Sequence, residues 1–529
     1  MKYSNILLGI CLLSGSLCSC NKFLEESPKS ITPVDAYFQS VSQAESAINY
    51  LYGKGTGPGR FYNINGLYDG TNSFTLDNLS GLANNTVAQD PSIRHFASLT
   101  QTVGNASNYL GGIWSSFYSS IASANTIIDK VTASTSIAEG AKAPLLATAR
   151  FYRAMDYYYL VRIFGGVPLI LAPYTSLENL YAPRASVDSV YASIVEDLNW
   201  AIDKGGLADK PMGSNGNRIS KGSAEVVLAE VYLTMAGYPL QKGAESYTKA
   251  LQTAQKLIQS TGGYALFTSD ANSTAFDKLR LTSYDQGSAY LYFIEYNGNI
   301  QSSGFPEYTL PNSFPVPIPN SDLKVQYTLM TTPWTPSNTL LSMYDSTNDI
   351  RRHNRQFYHN SFSYINKSGS LTTIKIPTLP FRWYDSTAIF ETAASSKYID
   401  VYRMADVYLI AAEAANALGQ DPTPYLDPIL NRAYVHKPSI PTGQQARRDL
   451  ILAERFRELA MEGHFWFDLV RTRLYPDVGE GHTVSFSALV GHDNGRGQKF
   501  QQKDLLMPIP STELQRNPAL KPQNPGYEQ

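Results

Sequence analysis

Two neighbouring stretches, residues 222–237 (GSAEVVLAEVYLTMAG) and 244–259 (AESYTKALQTAQKLIQ), decide the class of fold. Both repeat apolar side chains at helical spacing, so each predicts an α-helix. Each mixes small with large side chains, namely Ala224, Leu228, Ala229, Tyr232, Leu233 and Ala236 in the first and Tyr247, Ala250, Leu251, Ala254 and Leu257 in the second. Small residues let two antiparallel helices approach while large ones fill the space between them, so the two stretches predict a packed helix pair.

Helical patterns continue on both sides of this pair, at residues 34–52, 113–130, 141–164, 187–203, 403–418 and 446–470. Gly165-Gly166, with Pro168 beyond, ends the third of these patterns, and Ser186 is a suitable N-cap for the fourth. The packing of small against large residues resembles that of tetratricopeptide (TPR) repeats, although the loop around 237–239 is longer than the usual turn. We therefore predict a predominantly α fold built from degenerate TPR-like helix pairs.

Residues 262–400 differ from the rest of the chain because they are rich in Gly, Pro, Ser and Asn. Strand-like fragments occur at 289–296 (AYLYFIEY) and 372–376, and the alternating prolines of 314–319 (FPVPIP) exclude a helix there. We predict an irregular, loop-rich lobe with short strands on a helical scaffold, an arrangement typical of binding surfaces. No flexible linker separates domains, so we expect one unit over 20–529, with a helical part (20–261), the lobe (262–400) and C-terminal helices and tail (401–529).

The N-terminus predicts a lipoprotein signal peptide over residues 1–19. Lys2 precedes the short apolar run 6–17, which is too short to span a bilayer, and Leu17-Cys18-Ser19-Cys20 resembles a bacterial lipobox. Cys20 is then the expected lipidation site, and acyl chains would tether an otherwise water-exposed body. An ordinary cleaved signal is the alternative. The three cysteines are Cys11, Cys18 and Cys20, so no disulfide framework is expected in the body.

Charge and motif content argue against nucleic-acid binding and catalysis. Lys+Arg total 43 and Asp+Glu total 45, and this net charge of −2 excludes a strongly basic surface, so no nucleic-acid partner is expected. HExxH, GxSxG, Walker and GxGxxG motifs are absent from the sequence. Glu454, Glu458 and Glu462 recur at i, i+4 and i+8 among arginines, which indicates an ion-pair lattice rather than a catalytic pair. We predict no catalytic residue, no metal site and no cofactor.

Aromatic residues in non-helical segments are the remaining signal. The chain has 36 Tyr, 22 Phe and 5 Trp, and ten lie in such segments: Tyr62, Tyr68, Phe74, Tyr109, Tyr284, Tyr308, Phe314, Trp334, Trp383 and Tyr384. Flat rings can stack on the apolar C–H faces of sugars, whose hydroxyls then need nearby amides and carboxylates. Suitable polar groups are Asp69, Asn72, Asp77, Asn78, Asn84 and Asn85. The alternative is that these aromatics form a secondary core of the lobe.

Several ordered motifs carry a family resemblance. They are 23–28 (FLEESP), Trp114/Tyr118/Ile121/Asn125, 149–169 (ARFYRAMDYYYLVRIFGGVPL), 402–414 (YRMADVYLIAAEA), 454–469 (ERFRELAMEGHFWFDL), 507–510 (MPIP) and 524–527 (NPGY). Together, behind a lipobox, they resemble the SusD/RagB-type outer-membrane nutrient-binding lipoproteins. The resemblance implies TPR-like helix pairs supporting an irregular lobe, no catalysis, and a lipid-anchored position on the cell surface. It also implies capture of oligosaccharides for a SusC-like TonB-dependent transporter, hence a role in polysaccharide utilisation.

The resemblance further places the sugar site in two loops, at about 66–110 and 300–340. The residues expected to contact a glycan are Tyr308, Trp334, Asp77, Asn78, Asn84 and Phe74. Because the first loop has no tryptophan before Trp114, starch itself is a doubtful ligand. Three alternatives stay open: a mainly structural transporter lid, a peptide-binding lid and a hydrolase. Arg150 and Arg153 are expected to form buried ion pairs with the helix that carries Glu454 and Glu458.

Overall fold

The computed structural model describes residues 37–55, 67–68, 75–84, 91–176, 178, 180–310, 321–323 and 334–527. The signal peptide 1–19, Cys20 and the motif 23–28 lie outside these residues, as does the 314–319 segment. In the part of the chain that is described, no helix has both the length and the apolar character needed to cross a bilayer. The predicted lipid anchor at Cys20 therefore stays a prediction.

Helices dominate the N-terminal half. They are α1 (Val41–Tyr52), α2 (Thr75–Leu79), α3 (Pro91–Ala97), α4 (Val103–Ala133), α5 (Glu139–Phe164), α6 (Val187–Asp203), α7 (Lys221–Ala236) and α8 (Gly243–Ile258), and the short strand β1 (Ala83–Asn84) lies between α2 and α3. The Ser186 hydroxyl accepts a hydrogen bond from the Ser189 N–H and caps α6 as predicted. Helix α5 ends where Gly165 takes a positive φ of 73°.

The helices pack on their neighbours in chain order. Helix α5 packs against α4 and α6, α6 against α7, and α7 against α8, which in turn contacts the C-terminal helix α11 (Met404–Ala417). The predicted pair 222–237 and 244–259 is the α7–α8 pair, and Ala224, Ala229, Ala250 and Ala254 are fully buried. This succession confirms the prediction of a mainly α-helical fold.

The lobe contains short strands and little helix. Its elements are α9 (Ala275–Arg280), β2 (Tyr290–Ile294), β3 (Thr335–Pro336), α10 (Asn338–Ser342), β4 (Tyr358–Ile365), β5 (Leu371–Pro380) and β6 (Ile399–Arg403). The strands form antiparallel pairs, β1 with β3, β2 with β6, and β4 with β5. A small core of its own, including Phe362, Phe381 and Tyr384, lies under β4 and β5.

The C-terminal part returns to helices: after α11 come α12 (Thr423–Ala433), α13 (Gln444–Glu458), α14 (Phe465–Thr472), the antiparallel pair β7 (Leu474–Val478) and β8 (Val484–Ala488), and α15 (Ser511–Arg516). The single helix expected over 446–470 is interrupted between Glu458 and Phe465. Met461 and Gly463 have φ values of 59° and 85°, in the left-handed region, so the chain turns there and starts α14 in a new direction.

A lattice of buried ion pairs stabilises this C-terminal part, as the Glu454/Glu458/Glu462 spacing predicts. Arg403 binds Glu458 at 2.6 Å and Glu462 at 2.9 Å, and Arg351 reaches Glu454 at 2.7 Å. All these side chains are buried, so each charge depends on its partners for solvation.

The expected partner of Arg150 and Arg153 was wrong. Both bind Asp197 of α6, at 2.6 Å and 2.7 Å, rather than the glutamates of α13. The reason is packing order, because α5 lies against α6, whereas the α13 glutamates are already satisfied by arginines from the lobe and from α12.

Candidate functional site

The two loops expected to carry the sugar site meet in the structure. Strand β1 pairs antiparallel with β3, so that Ala83 lies opposite Pro336 and Asn84 opposite Thr335. Beyond the ladder, the Ser337 N–H donates to the Leu82 carbonyl at 2.8 Å. Residues more than 250 positions apart are thereby held side by side, which agrees with the expectation that the loops at 66–110 and 300–340 form one surface.

Trp334, however, lies inside the protein and not on that surface. Its side chain is fully buried, with 0% of its area exposed, and it belongs to the main hydrophobic core. It immediately precedes β3, the strand that pairs with β1. Its burial contradicts the expectation that Trp334 offers a ring face to a sugar.

Asp77 and Asn78 are also buried, at 1% and 0% exposure. The Asp77 carboxylate accepts a hydrogen bond from the Trp466 N–H at 3.3 Å, so it caps the start of α14. Burial raises the pKa of the Asp77 carboxyl to about 7. Asp77 therefore holds α2 against the start of α14, and Asn78 lies inside the protein, which corrects the expectation that these two residues contact a glycan.

Asn84 is half-buried and is held by an arginine that the sequence analysis did not single out. The Arg496 Nε donates to Asn84 Oδ1 at 2.9 Å, and its two Nη atoms donate to the carbonyls of Ala83 and Ala97 at 2.7 Å and 2.8 Å. A Cβ at Gly81 would collide with the carbonyl of Asn494, so this glycine lets the segment around Arg496 approach. Asn84 is thus a fixed part of the loop surface.

The remaining aromatic candidates fall into two groups. Phe74 lies outside the described residues. The backbone of Tyr308 ends the 3₁₀ turn Phe305–Tyr308, but the Tyr308 side chain is not among the described parts of the structure. Both stay predictions. Other aromatics predicted to lie in loops are buried, namely Tyr68, Tyr109, Trp383 and Tyr384. The first three belong to the main core, with Tyr109 on helix α4, and Tyr384 alone of these four belongs to the small core of the lobe.

An open cleft of about 460 Å³, which we call the first cleft, lies between α1, the loop before α7 and the hairpin after β2. Its lining includes Asn49 and Tyr52 of α1, Asn217 and Arg218 of the loop before α7, and Phe293, Glu295, Asn297 and Gln301 of β2 and the hairpin after it. Tyr296 also lines the cleft, and its hydroxyl donates to the carbonyl of Tyr68 in the first loop. This bond ties the cleft to the loop in which a sugar site was expected.

A chain of hydrogen bonds fixes the polar side of the first cleft. The Gln286 amide donates to Asn217 Oδ1 at 3.1 Å, and Asn217 Nδ2 donates to the Tyr398 hydroxyl at 3.3 Å. The Tyr398 hydroxyl in turn donates to Glu295 at 3.0 Å. Glu295 is exposed, so its second oxygen faces solvent at the cleft. These hydrogen bonds fix the orientation of the Asn217 amide and the Glu295 carboxylate, and they leave the carboxylate without a cationic partner among the described residues.

Aromatic rings also line the first cleft. Tyr52 packs edge-on against Tyr152, with ring centroids 5.0 Å apart, and its hydroxyl accepts a hydrogen bond from the Ile219 N–H at 3.0 Å. Phe293 stacks on Tyr398 at 5.1 Å. Fixed rings beside oriented amides suit ligands that have both apolar faces and hydroxyls. Among the described residues no group of three or more His, Cys, Asp or Glu side chains could hold a metal ion.

No simple pattern in the sequence announces this cleft. Its residues come from segments that lie far apart in the chain, and of the family motifs only 149–169 contributes to the lining, through Tyr152. The turn Ser214-Asn215-Gly216-Asn217 is a further local signal, whose composition predicts a tight loop but no ligand. Arg496 lies in the glycine-rich run 491–497, which follows β8 but does not lead into an α-helix as a phosphate loop does, and which anchors the first loop.

Two family models match the chain. One, described as the SusD family, matches residues 291–527. The other, described as starch-binding and associating with the outer membrane, matches residues 22–233. SusD-like protein P2 of Formosa agariphila is 26% identical, and the match covers 100% of both chains.

Solved structures share the fold. A SusD superfamily protein from Parabacteroides distasonis superposes with a TM-score of 0.79 at 28% identity, and the match covers 92% of this chain and 99% of that one. A laminarin-binding SusD-like protein superposes with a TM-score of 0.67 at 21% identity, over 92% of this chain and 99% of that one. At that identity the second likeness is one of fold.

Proposed function

Because the chain belongs to the SusD/RagB family, we propose that it is a non-catalytic, cell-surface glycan-binding lipoprotein. It captures oligosaccharides and delivers them to a SusC-like TonB-dependent transporter in the outer membrane. The observation that carries the proposal is the first cleft, which combines fixed aromatic rings with oriented amides and is tied by the Tyr296 hydrogen bond to the first of the two loops that the family resemblance assigns to sugar binding. The starch-binding description of one family model and the laminarin-binding relative support a glycan ligand.

The chemistry of the first cleft suits a sugar of low charge. Tyr52, which is half-buried, offers apolar surface for a C–H face, whereas Phe293 is 2% exposed and its ring stacks on Tyr398. Asn49, Asn297 and the second oxygen of Glu295 can bond hydroxyls. Each stacked ring contributes about 1 kcal/mol, so we expect dissociation constants between about 1 μM and 1 mM. Weak binding suits a protein that must release its ligand to a transporter.

The proposed location rests on two observations of different kinds. The lipobox-like sequence 17–20 predicts a lipid on Cys20, and one family model is described as associating with the outer membrane. Labelling of intact cells with a membrane-impermeant biotin reagent tests the orientation. Labelling of the native protein and its loss from the membrane fraction on Cys20→Ala are the expected results.

Titration of the purified protein with glycans and peptides tests the function. Laminarin, glycogen, xylan and their oligosaccharides are the sugar probes, and a mixture of oligopeptides is the competing ligand. Binding of a saccharide supports the proposal, whereas binding of peptides alone favours a peptide-binding lid and binding of neither favours a structural one. Release of shorter sugars from any probe would contradict the non-catalytic role.

A further inference from the structure

We propose that the protein has a second saccharide-binding cleft within its helical scaffold, an inference that rests on the proposed function. An open cleft of about 560 Å³, the second cleft, lies where the α7–α8 loop faces α11, α13 and the end of α14. Its principal lining side chains are Tyr238, Gln241, Tyr247, Asn416, Gln445 and Arg448. It shares no lining residue with the first cleft and lies outside both predicted sugar loops.

Two tyrosine rings supply the apolar surface of the second cleft. Tyr238 is 39% exposed although it is a large aromatic residue, and the guanidinium of Arg473 lies 5.0 Å from its ring centroid. The cation holds the ring in place and leaves part of it open to solvent. Tyr247, on the first turns of α8, is half-buried beside it. An aromatic ring that is fixed in place and partly exposed can stack on the C–H face of a sugar.

Hydrogen-bonding groups around these rings are left open. The side chains of Gln241 and Gln445 and the hydroxyl of Tyr247 make no hydrogen bond within the described part of the chain, although all three line the cleft. Asn416 is held in place, since its Nδ2 donates to the carbonyl of Gln444 at 3.0 Å. Carboxamides and a phenol both donate and accept, which matches the dual capacity of sugar hydroxyls.

The charged side chains that line the second cleft are paired within the protein, whereas Arg473, which packs on the Tyr238 ring, forms no ion pair with a described carboxylate. Arg471 binds both oxygens of Glu413, at 2.5 Å and 2.8 Å, and Arg448 makes two bonds to Asp449, at 2.9 Å and 2.7 Å. A ligand with a net charge would have to displace one of these pairs. The arrangement therefore favours an uncharged ligand that bonds through hydroxyls, which is a neutral saccharide rather than an acidic or basic peptide.

Helix α7 separates the two clefts. Arg218 of the first cleft lies three residues before the start of α7 at Lys221, and Ala236 of the second cleft ends it. The 16 residues of α7 span about 24 Å at 1.5 Å per residue. One polysaccharide molecule or two short sugars can therefore engage both clefts, and loss of either cleft weakens retention of a polymer through lost avidity.

Affinity electrophoresis through gels that contain laminarin, glycogen or xylan tests the inference with the full-length mature protein. The double substitution Tyr238→Ala with Gln445→Ala removes the second cleft, and Asn49→Ala with Glu295→Ala removes polar groups of the first. Tyr181→Ala, at a tyrosine that is 64% exposed outside both clefts, is the matched control. We expect each double variant to bind the retarding polymer about tenfold more weakly than the wild type and the control.

Hydrogen exchange with maltose, laminaribiose and xylobiose locates the sites independently of any substitution. Protection of residues 237–247 and 444–448 by one of these sugars, in addition to 294–301, is the expected result. If a sugar binds and protects only the first cleft, or if the Tyr238/Gln445 variant is retarded like the wild type, the second site is refuted while the proposed function stands. If no saccharide binds anywhere, the proposed function and this inference fail together. Protection of the second cleft by an oligopeptide but not by sugars overturns the ligand class.

Discussion

The buried ion-pair lattice of the C-terminal helices and the first cleft use the same kinds of side chain in opposite ways. In the lattice, Arg403 and Arg351 give their donors to carboxylates within the protein. In the cleft, Asn49 and Glu295 are exposed, and an oxygen of Glu295 faces solvent. The difference shows that residue type alone does not identify a binding site. A polar side chain is available to a ligand when the fold holds its orientation but leaves some of its hydrogen-bonding atoms without a partner in the protein.

The largest effect on stability is expected from a substitution that breaks the buried ion-pair lattice. Arg403→Met leaves Glu458 and Glu462 buried with fewer partners, so we expect the free energy of unfolding to fall by about 4 kcal/mol. Urea denaturation followed by circular dichroism measures it. Arg516→Met, at an exposed arginine paired with the half-buried Glu513, is the matched control and should change stability by less than about 1 kcal/mol. A small effect at Arg403 would remove the contrast between the two regions.

A substitution of Trp334 tests whether this predicted sugar contact belongs to the buried core or to the binding surface. Because its ring is fully buried, Trp334→Ala leaves a cavity and should cost about 3 kcal/mol of stability. Thermal and urea unfolding measure the loss, with Tyr181→Ala as the surface control. A variant that kept wild-type stability and lost only glycan affinity would restore Trp334 to the binding surface.

Two buried carboxyls, those of Glu458 and Asp77, should affect the free energy of unfolding differently as the pH changes. Arginines lower the pKa of Glu458 to about 2, so its contribution is present above the unfolded pKa of about 4.5 and is lost as pH falls towards 2. Burial raises the pKa of Asp77 to about 7, so its ionisation destabilises the fold increasingly as pH rises from about 4 to 7.

Each carboxyl has a neutral isostere as its test. Glu458→Gln should lose about 2 kcal/mol at pH 7 and less at pH 3. Asp77→Asn should gain stability relative to the wild type as pH rises from 4 to 7. Urea unfolding at several pH values checks both slopes, and parallel curves for variant and wild type would contradict the assigned protonation states.

The smallest expected effect concerns the first cleft. Asn49→Ala with Glu295→Ala removes exposed polar groups, so stability should change by less than about 0.5 kcal/mol while the dissociation constant for a bound oligosaccharide rises about tenfold. Calorimetric titration measures the affinity and thermal unfolding the stability. Unchanged affinity would move the glycan site away from the first cleft.

Much of the helical scaffold could be predicted from local pattern. Helix α6 begins after the Ser186 cap and helix α5 ends at Gly165, because these signals act within one turn. The break between α13 and α14 was missed, since the left-handed conformation of Met461 has no local sequence signal. The partner of Arg153 was also missed, because it depends on which helix packs beside α5.

The candidate site was less predictable because its parts are joined by distant contacts. That the two loops meet agreed with the family resemblance, but the sequence did not reveal that Trp334, next to the β1–β3 ladder, is buried. The first cleft depends on segments at 49–53, 216–218 and 293–301 coming together, and no periodicity or spacing connects them. Single side chains in loops can be assigned to surface or core only when such contacts are known.

The hydrogen bonds between Arg496 and Asn84 determine when, during synthesis, the first loop can reach its final structure. The two residues are 412 positions apart, so ribosomes working at about 5–20 residues per second need about 20–80 s to supply the arginine after the asparagine. During that time the first loop has no anchor and its surface is unfinished. The chain therefore completes the surface around the first loop only near the end of synthesis.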